Sequence, residues 1–440
     1  MRLSIPSANL IVALALPLLL IVISVANMAG AASIFDRDAP ECKVLSDKSP
    51  ELRLKLSLFC KYDKSVRPVI SKSTPINVTV GLSPKFMEFD SDKNQFILHS
   101  WMLISWKDEH LGWDPDDYDG IDSLRIESDD LWLPDISVFN SGDLSVSQST
   151  LLRAMCKLSY TGLVVCVPAL KFVALCSTDY ADWPYDLQNC FILMGSWTQT
   201  GAEVNFNFRR KSINMSSFQE SKLWLVTNYT SRKVTPKLKN DSFPFLSFQF
   251  EIQRHSGIIQ AVHISPLIVL AILTLTLLWL DSRSTERLVL AAVTFICHLL
   301  CLYNLHWLIP SNGLTPPHVL LFYRDSMIIT TFAIVLTTLL RKLQSTRGIP
   351  APIWIESSVS FVANNPAGRW LLLEDWPPGN SKVTSSDDDR EPIEAMPMKI
   401  DNWRRLALII DWLALFALTF TYLLLFLSRI PRVEYKKSIL

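Results

Sequence analysis

The chain is 440 residues long, is 49% hydrophobic and balances 42 basic against 42 acidic residues, for no formal net charge. That length is too great for one domain and suits two with a linker. A neutral chain offers no basic footprint to a phosphate backbone, so nucleic acid is set aside as a partner.

Residues 1–32 read as a secretory signal: Arg2 leads an apolar stretch from Leu10 to Val25, and Ala29-Gly30-Ala31 supplies a small-residue cleavage site. Residues 33–256 are then expected outside the cytosol as an antiparallel β-sandwich domain. At its start, Ser49-Pro50-Glu51 combines a cap, a first-turn proline and a first-turn acid. Leu52, Leu54, Leu56 and Leu58 alternate as in a strand, but the start signal favours a helix. A break near Pro50 would let Cys42 fold back onto Cys60 as a possible pair.

Short alternating runs at 76–80, 96–106, 163–167 and 245–252, separated by turn signals, predict the sandwich. Asp114 to Gly120 is acidic enough to suggest a calcium loop, yet Arg125 stands where the bidentate glutamate should be, so it reads as a turn. Cys156 and Cys166 flank a hairpin turning at Thr161-Gly162, which would bring them face to face. Cys176 and Cys190 bracket thirteen residues that include Trp183-Pro184-Tyr185-Asp186. A bridge there would remove loop entropy worth roughly 3 kcal/mol. Four glycosylation sequons, at Asn77, Asn214, Asn228 and Asn240, all fall in this outer segment.

Four later stretches, about 258–280, 288–309, 318–340 and 405–427, are long enough to cross a bilayer. The expected division is spans one to three within 257–343, a cytoplasmic loop at 344–402, and the fourth span with an outer tail at 403–440. Arg283, Arg287, Arg341, Lys342, Arg347, Lys399, Arg404 and Arg405 fall on the inner side of this arrangement. Arg429, Arg432, Lys436 and Lys437 run against it. The 344–402 segment is rich in proline and serine, holds the acidic run Asp387 to Glu391, and reads as partly disordered. Cys297 and Cys301 are four apart on one helix near His298 and His306, and read as buried thiols rather than a metal site. No nucleophile elbow or HExxH motif is present, so neither an enzyme nor a cofactor is expected.

The bracketed loop resembles the signature of the Cys-loop receptors, the pentameric ligand-gated ion channels. Further strings resemble nicotinic acetylcholine receptor subunits: RLKLSLFCKYDKSVRPV (53–69), WDPDDYDG (113–120), LWLPDISVFN (131–140), GSWT (195–198) and DNWRRLALIID (401–411). The resemblance implies an N-terminal helix, a ten-strand sandwich, four membrane helices and five subunits around a pore. It also implies an agonist held between subunits in an aromatic cage. On the principal side Phe139 stands where the family has tyrosine, Trp197 is kept, and the stretch from Val234 to Phe243 lacks the family's paired cysteines and tyrosines. On the complementary side Trp101 matches the cage tryptophan. At the domain junction the resemblance pairs Arg254 with Asp92 and places Pro184, Pro310 and Pro317.

Carried over position by position, the pore lining is Glu286, Val289, Val293, Ile296, Leu300, Tyr303 or Asn304, and Trp307. Five copies of Glu286 would favour cations, but the valines replace hydroxyl residues and Trp307 replaces an acidic one. The resemblance therefore implies a non-alpha, beta-like subunit working with other nicotinic-type subunits and acetylcholine or a similar cationic agonist, in a plasma or postsynaptic membrane. The alternative is a non-conducting accessory or ligand-binding subunit.

Overall fold

A computed structural model of the chain describes residues 49–143, 154–238, 241–310, 315–345, 351–366, 368, 372 and 402–430. The signal segment, Cys42 with its possible pairing to Cys60, Asn240, and the acidic run at 387–391 lie outside the described residues.

The first described element is a helix, Pro50–Phe59, with proline in its first turn and Glu51 beside it. Leu54 is fully buried while Leu52 and Leu56 are exposed. Residues two apart point to different sides of a helix, so the alternating leucines cannot share one face.

Thirteen strands follow among the described residues: β1 Ile76–Asp90, β2 Gln95–Gly112, β3 Ser123–Glu127, β4 Ser137–Val138, β5 Met155–Ser159, β6 Thr161–Cys166, β7 Ala169–Leu175, β8 Leu187–Gly195, β9 Val204–Ile213, β10 Trp224–Val234, β11 Lys237–Leu238, β12 Asp241–Ser242 and β13 Phe245–Arg254. One sheet runs β3-β5-β6-β2-β1-β9, with β7 also on β2; the other runs β10-β13-β8-β4. The strands outnumber the ten implied by resemblance for a local reason. Val167-Pro168 divides one run along β2 into β6 and β7, because proline has no N–H for the ladder. The two-residue pair β11–β12 forms a small hairpin of its own.

The core lies between the two sheets. Ile76, Val78, Val80 and Leu82 of β1 face it at period two, and Phe96 of one sheet stacks on Phe250 of the other at 5.3 Å. Asp114 to Gly120 is a tight turn: the Asp114 carboxylate accepts from the Asp116 amide, and Asp119 and Gly120 have positive φ. Among the described residues no cluster of three or more His, Cys, Asp or Glu could hold a metal ion.

Among the described residues four helices are long and apolar enough to span a membrane: Gly257–Trp279, Thr285–Leu308, His318–Ser345 and Asn402–Arg429. The first contains a π turn at Gln260–Ile264, and the Tyr323 hydroxyl of the third span donates to the His263 carbonyl at 2.6 Å. Thus a backbone group at the irregular turn is satisfied by a neighbouring helix. Within the segment read as a partly disordered loop, Ile353–Ala363 is helical and buries Ile355 and Val359. These lie four apart and so share a face, and the helix packs against the fourth span.

Candidate agonist site, gating junction and pore

The residues expected on the principal side meet at the edge of the β10-β13-β8-β4 sheet. Phe139 stacks on Trp197 with centroids 4.2 Å apart, and Phe245 meets Phe139 edge-on at 4.5 Å. The loop carrying Trp197 is held by one oxygen of Asp135. It accepts from the Ser196 hydroxyl, the Trp197 and Thr198 amides and the Thr198 hydroxyl, all within 3.2 Å. Gly195 is required here, because a Cβ would collide with the Phe245 ring. Asn140 accepts from the Leu193 amide and donates to the Phe191 carbonyl, pinning Phe139 to β8.

Phe243 is half-buried in the adjoining hairpin, where its amide donates to the Pro236 carbonyl at 3.0 Å. The ring that joins Phe139 is instead Phe245, two positions on. Neither Phe245 nor Asp135 was singled out from the sequence. Asp135 lies within the LWLPDISVFN string, but a short-range pattern cannot show that its partners are some sixty residues away.

Trp101 lies on the other sheet, paired with Ser83 of β1 and Ala169 of β7. Ser100 and Met102 on either side are buried, whereas Trp101 is 42% exposed. The second tryptophan of WMLISW, Trp106, is the buried one at 1% exposure. An odd separation of five places the two on opposite faces of the strand. One chain therefore carries Trp101 and the Phe139–Trp197 pair on different sheets.

At the junction the structure corrects the expected charge pair. Arg254 binds Asp186, not Asp92: Nε donates to Oδ1 at 2.9 Å and Nη2 to Oδ2 at 3.2 Å. The Asp186 side chain is fully buried and that of Arg254 is 14% exposed. Arg254 also lies over the Trp224 ring at 4.3 Å and reaches the Ser91 hydroxyl. The physical reason is depth. Asp92 is exposed in the β1–β2 turn, whereas Asp186 sits in the loop drawn inward by the Cys176–Cys190 bridge, whose sulfurs are 2.06 Å apart. A buried guanidinium needs a buried counter-charge.

The tip of that loop enters the membrane-helix core. Trp183 is 1% exposed, clusters with Leu267, Leu305 and Phe322, and precedes the buried Pro184. The His318 amide, at the start of the third span and next to the buried Pro317, donates to the Ala181 carbonyl at 2.9 Å. Pro310 is buried at the outer end of the second span. Tyr180 places its hydroxyl within reach of the Ser91 carbonyl and Asn94, and burial pushes its phenol above the ordinary range. The second bridge, Cys156–Cys166, joins residues directly opposite each other on β5 and β6. Gly162 at that turn has φ of 78°, a conformation other residues avoid.

On the second span Glu286, Val289, Val293, Ile296, Leu300, Tyr303, Asn304 and Trp307 form one exposed stripe. The opposite face buries Arg287, Ala291, Thr294, His298 and Leu305. Arg287, expected on the inner side just ahead of a span from 288, is inside the helix and fully buried. It binds Asp411 of the fourth span through two bonds of 3.0 and 2.9 Å, and its Nε donates to the Thr337 hydroxyl. His298 contacts the Thr294 carbonyl at 2.8 Å and the Ser326 hydroxyl at 2.7 Å, and Ser326 meets the Tyr422 hydroxyl. Cys297 and Cys301 are outside any disulfide and half-buried against an apolar cluster drawn from all four spans.

Of the sequon asparagines, Asn77 is exposed on β1, with its amide oxygen accepting from Asn205 at 3.0 Å; Asn214 and Asn228 are half-buried.

Residues 51–256 match the family described as the neurotransmitter-gated ion-channel ligand binding domain. The chain is 29% identical to the neuronal acetylcholine receptor subunit beta-3 of Rattus norvegicus over 323 residues, covering 72% of this chain and 68% of the relative. It is 28% identical to subunit non-alpha-3 of Carassius auratus, covering 68% and 64%. It is 30% identical to subunit alpha-5 of Homo sapiens, covering 73% and 69%. These are receptor channels and not enzymes. With its outer sandwich and four apolar helices, the chain belongs to the Cys-loop family of neurotransmitter-gated ion channels, as a nicotinic-type, non-alpha subunit of the multi-pass membrane kind.

Proposed function

We propose that the chain is a subunit of a heteropentameric, acetylcholine-gated cation channel of the postsynaptic plasma membrane, and that it supplies mainly the complementary side of the agonist site. The observation that carries this is the inequality of its two aromatic faces. Trp197 has one face covered by Phe139, whose phenyl lacks a hydroxyl, and the adjoining hairpin offers no cysteine or tyrosine. Trp101 points outward from its sheet. A cation over an aromatic face gains about 0.5–2 kcal/mol; Trp197 is the more exposed indole, at 66% against 42% for Trp101, so it is the missing hydroxyl, cysteines and tyrosines around Trp197, and not its exposure, that leave Trp101 as the better partner for a quaternary ammonium presented by a neighbouring subunit.

Residues 33–256 then form the outer domain, 257–343 the first three spans, 344–402 the inner loop and 403–440 the last span with its tail. Glycans on Asn77, Asn214, Asn228 and Asn240 fit the outer placement. Glu286 would draw cations to the inner mouth, while polar residues from partner subunits would wet a pore that Val289 and Val293 alone leave dry.

The apolar stripe also favours a second reading, an accessory subunit that does not conduct. Co-expression with alpha-type partners, read electrically, separates the two. A pore-lining subunit predicts agonist-evoked current whose unitary conductance changes on Glu286→Gln. Unchanged conductance with a shifted agonist response identifies the accessory role. No partner-dependent change in agonist binding or current defeats both readings.

A further inference from the structure

A cleft of about 380 Å³ lies on the outward face of the β10-β13-β8-β4 sheet, and both recognition residues of the sequon Asn228-Tyr229-Thr230 line it. Strand β10 is the edge of that sheet. A bulge turns the sequon outward. Trp224 and Val226 are buried toward the core, and strict alternation would send Asn228 and Thr230 inward as well. The register slips between Val226 and Asn228, where Thr227 is inserted and its hydroxyl donates to the Glu251 carbonyl at 3.2 Å. One extra residue reverses the phase of the strand. Asn228 and Thr230 therefore reach the cleft, while Tyr229 between them packs against the core.

Two cross-strand rows of three form the floor. Asn228 pairs with Glu251 and Glu251 with Asn189; Thr230 pairs with Gln249 and Gln249 with Phe191. Gln249 accepts from the Thr230 hydroxyl at 3.1 Å through its oxygen, so its amino group remains a donor. Phe191 is 37% exposed, although Cys190 and Ile192 on either side of it are buried. Each row spans two interstrand spacings, about 10 Å, which is the reach of two linked pyranose rings.

We propose that the N-linked glycan of Asn228 lies along this cleft, with its first ring over Glu251 and Gln249 and its second against Phe191 and Asn189. The proposal rests on the reading of Asn228 as a glycosylated residue of the outer domain. Attachment joins the Asn228 Nδ2 to the anomeric carbon of a lipid-linked diphosphate oligosaccharide; one amide proton and the polyprenyl diphosphate leave. The C–H face of a pyranose suits the negative face of the Phe191 ring, and its acetamido and hydroxyl groups suit the amides of Gln249 and Asn189. So open a cleft would hold a free saccharide weakly. A sugar already tethered at Asn228 is present at high effective concentration, so the same few contacts suffice.

The test uses the full-length protein from glycosylating cells. A peptide amidase that cuts the sugar–asparagine bond is applied in heavy-oxygen water, and mass spectrometry reads release at Asn228 as labelled aspartate. Release should be slow from the folded protein and fast after denaturation. Phe191→Thr should speed release from the folded protein roughly tenfold, the upper end of what one aromatic contact supplies. Phe191→Tyr should keep it slow. Asn189→Ala, at the end of the other row, should also speed it, and serves if Phe191→Thr folds poorly. As a second readout, Asn228→Gln should lower the thermal midpoint of the parent protein but not that of Phe191→Thr, because the two changes remove one contact. An Asn228 that carries no glycan overturns both the site and its packing. A glycan released as fast from the folded parent protein as from the denatured one overturns the packing alone. So does slow release that neither Phe191→Thr nor Asn189→Ala accelerates.

Discussion

Replacing Asp186 by Asn leaves the Arg254 guanidinium in place and removes its counter-charge. Breaking one side of a buried pair costs about 3–5 kcal/mol, because the remaining charge stays desolvated. Several features place this site at the low end. Arg254 keeps 14% of its side chain exposed, its contact with the Trp224 ring and its reach to the Ser91 hydroxyl, and an asparagine oxygen can still accept one of its N–H groups. The expected loss is therefore about 3 kcal/mol. The assay is a double-mutant cycle on the full-length protein with Asp186→Asn, Arg254→Gln and both, followed by urea unfolding. Effects should be strongly non-additive, as for directly bonded residues. A parallel cycle with Asp92→Asn should be additive, since Arg254 takes its counter-charge from Asp186. Coupling between Arg254 and Asp92 equal to or above that with Asp186 would refute the assignment of the junction pair.

In heteromers, Trp101→Ala should shift the agonist dose–response curve more than Trp197→Ala, because Trp197 already spends one face on Phe139; the reverse order would move the agonist to the principal face. Alone, the chain should pass little current, and Val289→Thr with Val293→Ser should enlarge it, since hydroxyls replace part of a cation's hydration and methyls cannot. Robust single-channel currents from the unmodified chain alone would show that the valine rings are no barrier. Asp108 is 1% exposed, accepts from the Tyr62 hydroxyl at 2.7 Å, and is held above the ordinary carboxylate range, chiefly by burial. A carboxyl raised on folding favours the folded state at low pH, and that contribution is lost as pH climbs from the ordinary carboxylate value through the raised one. Asp108→Asn should therefore flatten the pH dependence of the thermal midpoint across that interval; an unchanged slope would show that Asp108 is not the group responsible.

Local chemistry alone determined a good deal of this protein. The helix at Pro50 followed from its start signal, the strands from period-two alternation, and the spans from runs of apolar residues. The Cys156–Cys166 hairpin followed from symmetry about Gly162. The set of residues carried over from the resemblance to the second span is exposed along one face, as three- and four-residue spacing requires. Tertiary structure decided the partnerships. Arg254 takes Asp186 because burial, not proximity in a pattern, selects a counter-charge. Arg287 makes a bidentate bond to Asp411, 124 residues away. The third ring beside Phe139 and Trp197 is Phe245, for which Gly195 leaves space, while Phe243 is tied to Pro236 by its amide. Periodicity states which way a side chain faces, but the identity of what it meets depends on how distant segments pack, and that information is spread over the whole chain.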